Sequence, residues 1–168
     1  MSGSRTMTDR SLAREVVERL RAEGATLAVA ESCTGGWLGR EITAVPGASD
    51  VFWGGVIVYS DRAKATLLGV PAPLVSEYGA VSAEVARVMA REVRAVSSAT
   101  WGVAITGVAG PGGGRAGKPV GTVWFAVDGP ARAVWTQRFG GDRDDVRRQA
   151  VWEALRELNR LQPGGIDG

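Results

Sequence analysis

The sequence predicts an α/β fold in which helices cover both faces of a mixed β-sheet. Helical and strand patterns alternate along much of the chain, which favours parallel strands joined by crossover helices. An Asp128-Gly129-Pro130 turn between two apolar runs then predicts an antiparallel hairpin. The 168 residues, 45% hydrophobic and 23% charged, fit one domain over 1–168, with flexible ends at about 1–8 and 162–168.

The first part of the chain predicts a helix, a strand and a second helix. Residues 9–23 carry apolar side chains at helical spacing, and Gly24 is a typical helix stop. The run TLAVA at 26–30 is small and apolar, which predicts a buried strand. After the polar turn ESCTGG, the apolar spacing from Trp37 predicts a short helix that ends before Pro46.

The middle of the chain predicts one strand followed by three helices. The run GGVIVYS at 54–60 has the length and composition of a strand. Ser60 is a typical cap for a helix that carries Lys64 about one turn in and ends before Pro71. A short helix at 72–78 follows, and then a long helix that Ser82 caps and whose core face carries Val85, Val88, Met89 and Val93.

The last part of the chain predicts three strands and a closing helix. WGVAIT at 101–106 reads as a strand, and a glycine-rich segment follows it at 107–121. Strands at 122–127 and 132–139 flank the hairpin turn. A helix that begins near Asp142 completes the fold.

Composition excludes several classes of site. The chain has no histidine, which excludes Ser-His-Asp and Cys-His nucleophiles and histidine metal sites. Cys33 is the single cysteine, so an internal disulfide or a structural zinc site within one chain is excluded too. The formal charge of +2 is too small to indicate a nucleic-acid partner. Without a membrane-length apolar run or a secretory signal, we predict a cytoplasmic protein with no membrane partner.

The turn ESCTGG is predicted to expose backbone N–H groups where a strand leads into a helix. Such groups can stabilise an oxyanion, although Ser and Thr are also typical of a plain helix cap. Two of the 20 Lys and Arg residues are lysines, Lys64 and Lys118. Chance is the alternative explanation for the position of either one. A desolvated lysine can nevertheless act as a base, which arginine cannot. We therefore predict that Ser32 is a nucleophile and Lys64 its base, with Thr34 and Ser60 as rival hydroxyls.

Two further segments are candidates for holding an anion or another ligand. The glycine-rich segment precedes a strand and contains Pro111 and Pro119, so it is neither a dinucleotide fingerprint nor a P-loop. It can lay its backbone against a ligand or form a long disordered excursion. Arg143 and Arg147 share one face at the start of the last helix, where a phosphate would suit both; pairing with neighbouring aspartates is the alternative.

Eight motifs, taken together and in order, resemble the CinA carboxy-terminal domain family. They are AESCTGG, VPGAS, GGVIVYS, AKATLLGV, GAVS, ITGVAGPGGG, KPVGTVWFAV and GDRDDVRRQA, and the similarity covers nearly the whole chain. The resemblance implies a three-layer α/β/α sandwich with a mixed sheet, often homodimeric. It also implies hydrolysis of the carboxamide of nicotinamide mononucleotide to nicotinate mononucleotide and ammonia, with no metal or cofactor.

The resemblance further implies a catalytic set in which Lys64, helped by Tyr59, takes the proton of Ser32. The substrate-binding residues that it implies come from the turn, the next strand end, the glycine-rich segment and the last helix: Glu31, Thr34, Gly35, Gly36, Ser60, Thr106, Gly107, Gly110, Arg143 and Arg147. The chain reads YSDRAK where the family commonly reads YSNEAK. Asp61 therefore alters substrate affinity or the pKa of Lys64, or else only caps the helix.

Other interpretations of the sequence remain open beside this one. Full-length CinA proteins carry a larger amino-terminal domain of which the sequence shows no sign, so its pyrophosphatase activity is expected to be absent. The alternative function is a nucleotide-sensing or partner-binding module, linked to competence and DNA damage, that releases no ammonia. Cys33, beside the predicted nucleophile, is a candidate for oxidation-sensitive inhibition.

Overall fold

The computed structural model describes residues 9–161, so the predicted flexible ends lie outside the described residues. The predicted order of elements is confirmed, with one additional 3-10 turn at Ala48–Asp50. The helices are α1 (Asp9–Glu23), α2 (Trp37–Thr43), α3 (Asp61–Leu68), α4 (Ala72–Tyr78), α5 (Ala83–Ser97) and α6 (Arg143–Arg160). The strands are β1 (Leu27–Glu31), β2 (Phe52–Ile57), β3 (Trp101–Gly107), β4 (Thr122–Asp128) and β5 (Ala133–Arg138).

Three predicted helix caps are confirmed. The Ser60 hydroxyl accepts from the Ala63 N–H at the start of α3, and the Ser82 hydroxyl accepts from Val85 in α5. Asp142 caps α6 and forms a reciprocal capping box with Asp145. Each cap satisfies N–H groups that the helix itself leaves without an acceptor.

Strand β2 is shifted from its predicted position. The sequence predicts a strand over 54–60, whereas β2 begins at Phe52 and ends at Ile57. The apolar pattern continues through Val58 and Tyr59, but Ser60 already serves as the cap of α3. Because Ser60 caps α3, the strand ends before its apolar pattern does.

The five strands form one mixed sheet in the order β2-β1-β3-β4-β5. β1 pairs in parallel with both β2 and β3, so that Ala30 lies between Val56 and Ala104. β4 pairs antiparallel with β3 and with β5, which confirms the predicted hairpin.

The helices cover both faces of the sheet and give the predicted three layers. α1, α2 and α6 pack on one face, where Leu20, Val29 and Leu155 belong to a common core. α3, α4 and α5 cover the other face, where the sheet presents small side chains: Ala28, Ala30, Ala104 and Ala126. These small residues let α5 approach closely, and a Cβ at Gly102 would lie 2.2 Å from the Ala90 carbonyl oxygen.

The topology brings several functional segments to one edge of the sheet. The chain passes from β1 to β2 on one side and then crosses to β3 on the other side of β1. Such a switch point, at the carboxyl ends of parallel strands, is the usual place for a ligand in an open α/β sheet. The connection at 108–121 leaves β3 at the same edge, and α6 begins there after β5. Within residues 9–161, no helix is both long and apolar enough to cross a bilayer.

Candidate active site

The turn that follows β1 is built on two glycines in left-handed conformations. Gly35 has φ of 58° and Gly36 has φ of 99°, where side-chain-bearing residues are strained. The Ser32 N–H still donates to the Ile105 carbonyl of β3, at 3.0 Å. Ser32 is therefore held at the strand end while the next residues turn sharply into α2.

This turn leaves backbone donors free. The N–H groups of Gly35 and Trp37 donate to the carbonyls of Ser32 and Thr34. The N–H groups of Thr34 and Gly36, by contrast, have no backbone acceptor in the part of the chain that the structure describes. Free N–H groups two and four residues beyond a serine are suited to an oxyanion.

Glu31, a predicted substrate-binding residue, accepts hydrogen bonds from neighbouring residues of the protein. Its side chain is buried, and its carboxylate accepts from the Thr34 hydroxyl at 2.6 Å. It also accepts from the N–H groups of Leu38 and Gly39, at 2.9 and 3.1 Å. Gly36, at the cap position of α2, has no side chain to satisfy these groups, so Glu31 caps the helix instead.

Ser32 and Lys64 meet at the carboxyl end of β1. The Lys64 Nζ lies 2.9 Å from the Ser32 Oγ, although the two residues are 32 positions apart. Lys64 is 1% exposed, and its Nζ also donates to the carbonyls of Val58 and Tyr59, at 2.9 and 3.3 Å. The pair arises because β1 and β2 run in parallel and α3 starts three residues before Lys64.

The surroundings of Lys64 favour its neutral form. Burial lowers the pKa of Lys64 from its ordinary value of 10.5, and the charge of Asp61 acts in the opposite direction. No carboxylate in residues 9–161 forms an ion pair with it. A neutral amine has two N–H donors and one lone pair. In the structure the Lys64 Nζ donates to the Ser32 Oγ, and the Ser32 hydroxyl donates to the Tyr59 carbonyl at 3.5 Å. When Lys64 is neutral, its two N–H groups can stay on the Val58 and Tyr59 carbonyls while its lone pair accepts the Ser32 hydroxyl proton.

The rival hydroxyls have no such base beside them. The Thr34 hydroxyl is fully buried and donates to Glu31. The Ser60 hydroxyl caps α3. Of the three hydroxyls that the sequence leaves open, Ser32 alone contacts Lys64 within the described residues.

The Tyr59 hydroxyl is not joined to the Ser32–Lys64 pair. It accepts from the Arg143 guanidinium at 2.8 Å, and the Tyr59 side chain is exposed. Arg143 also donates to the Gly110 carbonyl at 2.7 Å, so it links α6 with the glycine-rich segment. The predicted help of Tyr59 in proton transfer therefore stays a prediction; the group that Tyr59 presents to Lys64 is its backbone carbonyl.

Arg147 supports the turn from α6. Its Nε donates to the Cys33 carbonyl at 3.0 Å, and its Nη2 lies 3.4 Å from the Thr34 carbonyl. The guanidinium also stacks over the Trp37 ring, 5.5 Å from the ring centroid. Both of its turn contacts are to carbonyls, which leaves the N–H groups of the turn available.

An open pocket of about 450 Å³ lies over this turn. It is lined by Thr34, Gly35, Gly36, Trp37, Arg40 and Arg147. Ser32 and Lys64 do not line the pocket, but the turn that follows Ser32 does. No sequence motif marks Trp37 or Arg40 as functional, although their spacing of three residues places both on one face of α2.

The glycine-rich segment is fastened to its neighbours on two sides. Just before the segment, the Thr106 hydroxyl of β3 donates to the Ala80 carbonyl at 3.0 Å, and within the segment Lys118 donates to the carbonyl of Tyr78 at the end of α4. Gly110, with φ of 86°, is held to α6 by Arg143. The segment is therefore packed against the fold and is not the disordered excursion that the sequence left open. Lys118 attaches the segment to α4, whereas the lysine beside Ser32 is Lys64.

Cys33 and Gly107 pack together beneath the turn. A Cβ on Gly107 would lie 3.1 Å from the Cys33 Sγ and 2.7 Å from a Val123 methyl group. Cys33 is 4% exposed, and burial raises its pKa to about 12. A buried, protonated thiol is unreactive, which argues against the oxidation-sensitive role expected for Cys33.

The described residues offer no evident metal site. No three His, Cys, Asp or Glu side chains in residues 9–161 are grouped so that they could hold a metal ion. That no metal or cofactor is required stays a prediction.

Comparison with known proteins identifies similar sequences and structures. A family model described as the CinA C-terminal domain matches residues 9–162. A CinA-like protein of Synechococcus sp. strain RCC307 is 54% identical over 157 residues, which are 92% of this chain and 37% of that protein. A CinA-like protein of Anaeromyxobacter dehalogenans strain 2CP-1 is 54% identical over 144 residues, 85% of this chain and 35% of that protein. The chain thus spans little more than a third of the length of these curated relatives.

Two crystal structures show how closely the fold is shared. A competence-damaged protein (CinA) superfamily protein from Enterobacter cloacae superposes with a TM-score of 0.90 at 36% identity, covering 95% of each chain. The competence damage-inducible protein A (ComA) from Klebsiella pneumoniae gives 0.89 at 35% identity, covering 92% of this chain and 96% of that one. The fold described above is therefore shared with these two proteins.

Proposed function

The chain belongs to the CinA C-terminal domain family, and from that premise we propose that it hydrolyses the carboxamide of nicotinamide mononucleotide. The products are nicotinate mononucleotide and ammonia. The observation that carries this proposal is the 2.9 Å contact between the buried Lys64 amine and the Ser32 hydroxyl. In a chain without histidine, this pair supplies both a nucleophile and its base.

In the first step, Ser32 attacks the carboxamide carbon. The lone pair of Lys64 takes the hydroxyl proton as the Ser32 Oγ forms its bond to carbon. The electron pair of the carbonyl bond moves to oxygen, and the free N–H groups of Thr34 and Gly36 stabilise the resulting oxyanion. Lys64 is now an ammonium ion, held by the Val58 and Tyr59 carbonyls.

In the second step, the carbon–nitrogen bond breaks. The Lys64 ammonium returns its proton to the departing nitrogen, ammonia leaves, and an ester on Ser32 remains. Neutral Lys64 then takes a proton from a water molecule that attacks the ester. The collapse of that intermediate releases the carboxylic acid product and restores the Ser32 hydroxyl with the proton held by Lys64.

The cations around the turn support an anionic substrate. Arg40 and Arg147 line the open pocket, and Arg143 lies beside the glycine-rich segment. We propose that they receive the phosphate, while the pyridinium charge makes the carboxamide carbon easier to attack. Help from Tyr59 remains part of the proposal, and it requires the Tyr59 hydroxyl to leave Arg143 when substrate binds.

The test is ammonia release from nicotinamide mononucleotide by the purified chain without added metal. Nicotinamide is the matched control substrate, because it carries the same carboxamide without the phosphate or the pyridinium charge. We expect release from the nucleotide and none from Lys64→Arg, since arginine cannot accept the proton. A protein that binds the nucleotide without releasing ammonia would instead be the sensing module. The expected homodimer is a separate proposal, which light scattering of the eluted protein tests.

A further inference from the structure

Glu31 makes an unusual set of contacts for a buried charge. Its side chain is 2% exposed, and no cation in the described residues forms an ion pair with it. Instead, Oε1 accepts from the Thr34 hydroxyl and the Leu38 N–H, and Oε2 accepts from the Gly39 N–H. A buried carboxylate is costly unless it is fully hydrogen-bonded, and this one is bonded only to the turn and helix that follow it.

These contacts satisfy the first N–H groups of α2 from the strand that precedes the turn. The first turn of a helix normally draws acceptors from the residues just before it, as Ser60 and Ser82 do for α3 and α5. In α2 the cap position is Gly36, and Glu31 reaches forward from the strand to serve the helix. The Thr34 hydroxyl donates to the same carboxylate, so Glu31 joins the middle of the turn to the first turn of α2.

The geometry points to Glu31 as a positioning residue for the reaction. We propose that its carboxylate fixes the turn between Ser32 and Gly36 so that the free N–H groups face the reacting carbonyl. Glu31 does not touch the substrate, in contrast to the substrate-binding role that the sequence resemblance implies. This inference rests on the proposed amide hydrolysis and concerns the transition state of that reaction.

The matched variants are Glu31→Gln and Glu153→Gln. A glutamine at position 31 presents an NH₂ group to Gly39 or Leu38 and so loses at least one of the three bonds. Glu153 is equally buried but accepts from Trp135 and Arg156, away from the turn. We expect Glu31→Gln to lower kcat by about 100-fold, comparable with the loss of one oxyanion donor. Because ground-state binding is not involved, KM should change by less than about threefold.

Amide hydrogen exchange supplies a readout that does not depend on activity. Exchange of the N–H groups of Leu38 and Gly39 should accelerate in Glu31→Gln and stay at the wild-type rate in Glu153→Gln. If Glu31→Gln fails to fold, Thr34→Val takes its place, because it removes one donor and retains the carboxylate. Thr34→Val should also lower kcat, by a smaller factor than Glu31→Gln.

Each outcome separates this inference from the proposed function. A folded Glu31→Gln protein with wild-type kcat would overturn the positioning role, and so would an equal loss of kcat in Glu153→Gln. A wild-type protein without amidase activity would overturn the proposed function. In that event, unchanged exchange in Glu31→Gln would overturn the positioning role as well, whereas faster exchange at α2 would retain Glu31 as the residue that holds the turn.

Discussion

Replacing Arg147 with methionine should loosen the turn that carries the proposed oxyanion donors. Methionine keeps most of the apolar stem of arginine and removes the guanidinium. The variant therefore loses the hydrogen bond to the Cys33 carbonyl, the longer contact to Thr34 and the stacking over Trp37. It also loses an ion pair with Asp144.

The size of the effect follows from these contacts. A hydrogen bond from a charged donor contributes about 1.5–3 kcal/mol, and partial exposure of the Arg147 side chain, 28%, places this one near the lower end. The cation–π contact adds about 0.5–1 kcal/mol. The pair with Asp144, whose side chain is 81% exposed, adds close to nothing. We expect Arg147→Met to lower the free energy of unfolding by about 2–3 kcal/mol, which lowers Tm by about 4–12 °C.

Urea unfolding measures this loss, with Arg148→Met as the matched control. Arg148 is the next residue of α6 and, among the described residues, pairs only with the partly exposed Asp145, so its loss should cost less than about 1 kcal/mol. Arg147→Lys should fall between wild type and Arg147→Met, because lysine keeps a positive charge but lacks the planar guanidinium that stacks over Trp37 and donates to the two carbonyls from separate nitrogens. Equal stabilities for Arg147→Met and Arg148→Met would refute the role of Arg147 in supporting the turn.

Four further predictions concern Lys64, Cys33 and Gly107. Since burial lowers the pKa of Lys64 below 10.5, ammonia release should rise with pH through that lowered pKa and level off before 10.5; a rate still climbing at 10.5 would contradict it. Between the lowered pKa of native Lys64 and 10.5, Lys64 binds a proton in the unfolded chain but not in the native protein. The free energy of unfolding of the wild type should therefore rise with pH relative to that of Lys64→Met. Cys33 should resist a thiol reagent in the native protein and react after unfolding in urea, whereas fast native labelling would show it to be accessible. Gly107→Ala should lose about 1–3 kcal/mol of stability, because its Cβ meets Val123 and a backbone oxygen; Gly112→Ala, with open space around it, is the control and should lose less.

Much of the fold could be predicted because its signals are local. A cap and the N–H group that it satisfies lie three residues apart, so Ser60, Ser82 and Asp142 could be read directly from the sequence. The same local signals also compete, as where the cap at Ser60 shortened the apolar run of β2. The contact between Lys64 and Ser32 could be anticipated in part, since each follows a strand and neighbouring parallel strands end at one edge.

The remainder of the site depends on contacts that no local pattern encodes. The carboxylate of Glu31 is turned inward because Gly36 offers α2 no side-chain cap, which makes it a structural acceptor. The Tyr59 hydroxyl meets Arg143, a residue 84 positions away, on the first turn of α6. The pocket over the turn exists because α2 and α6 lie side by side, and this brings Arg40 and Arg147 to its lining.

The most direct measurement is to mix the protein with nicotinamide mononucleotide, quench the reaction early and locate any acyl group by mass spectrometry. Ammonia release should be followed in the same samples, beside Ser32→Ala. We predict an ester of nicotinate mononucleotide on Ser32 in the wild-type protein, and neither ester nor ammonia from Ser32→Ala. An acyl group on another residue, or ammonia release by Ser32→Ala at the wild-type rate, would contradict attack by Ser32.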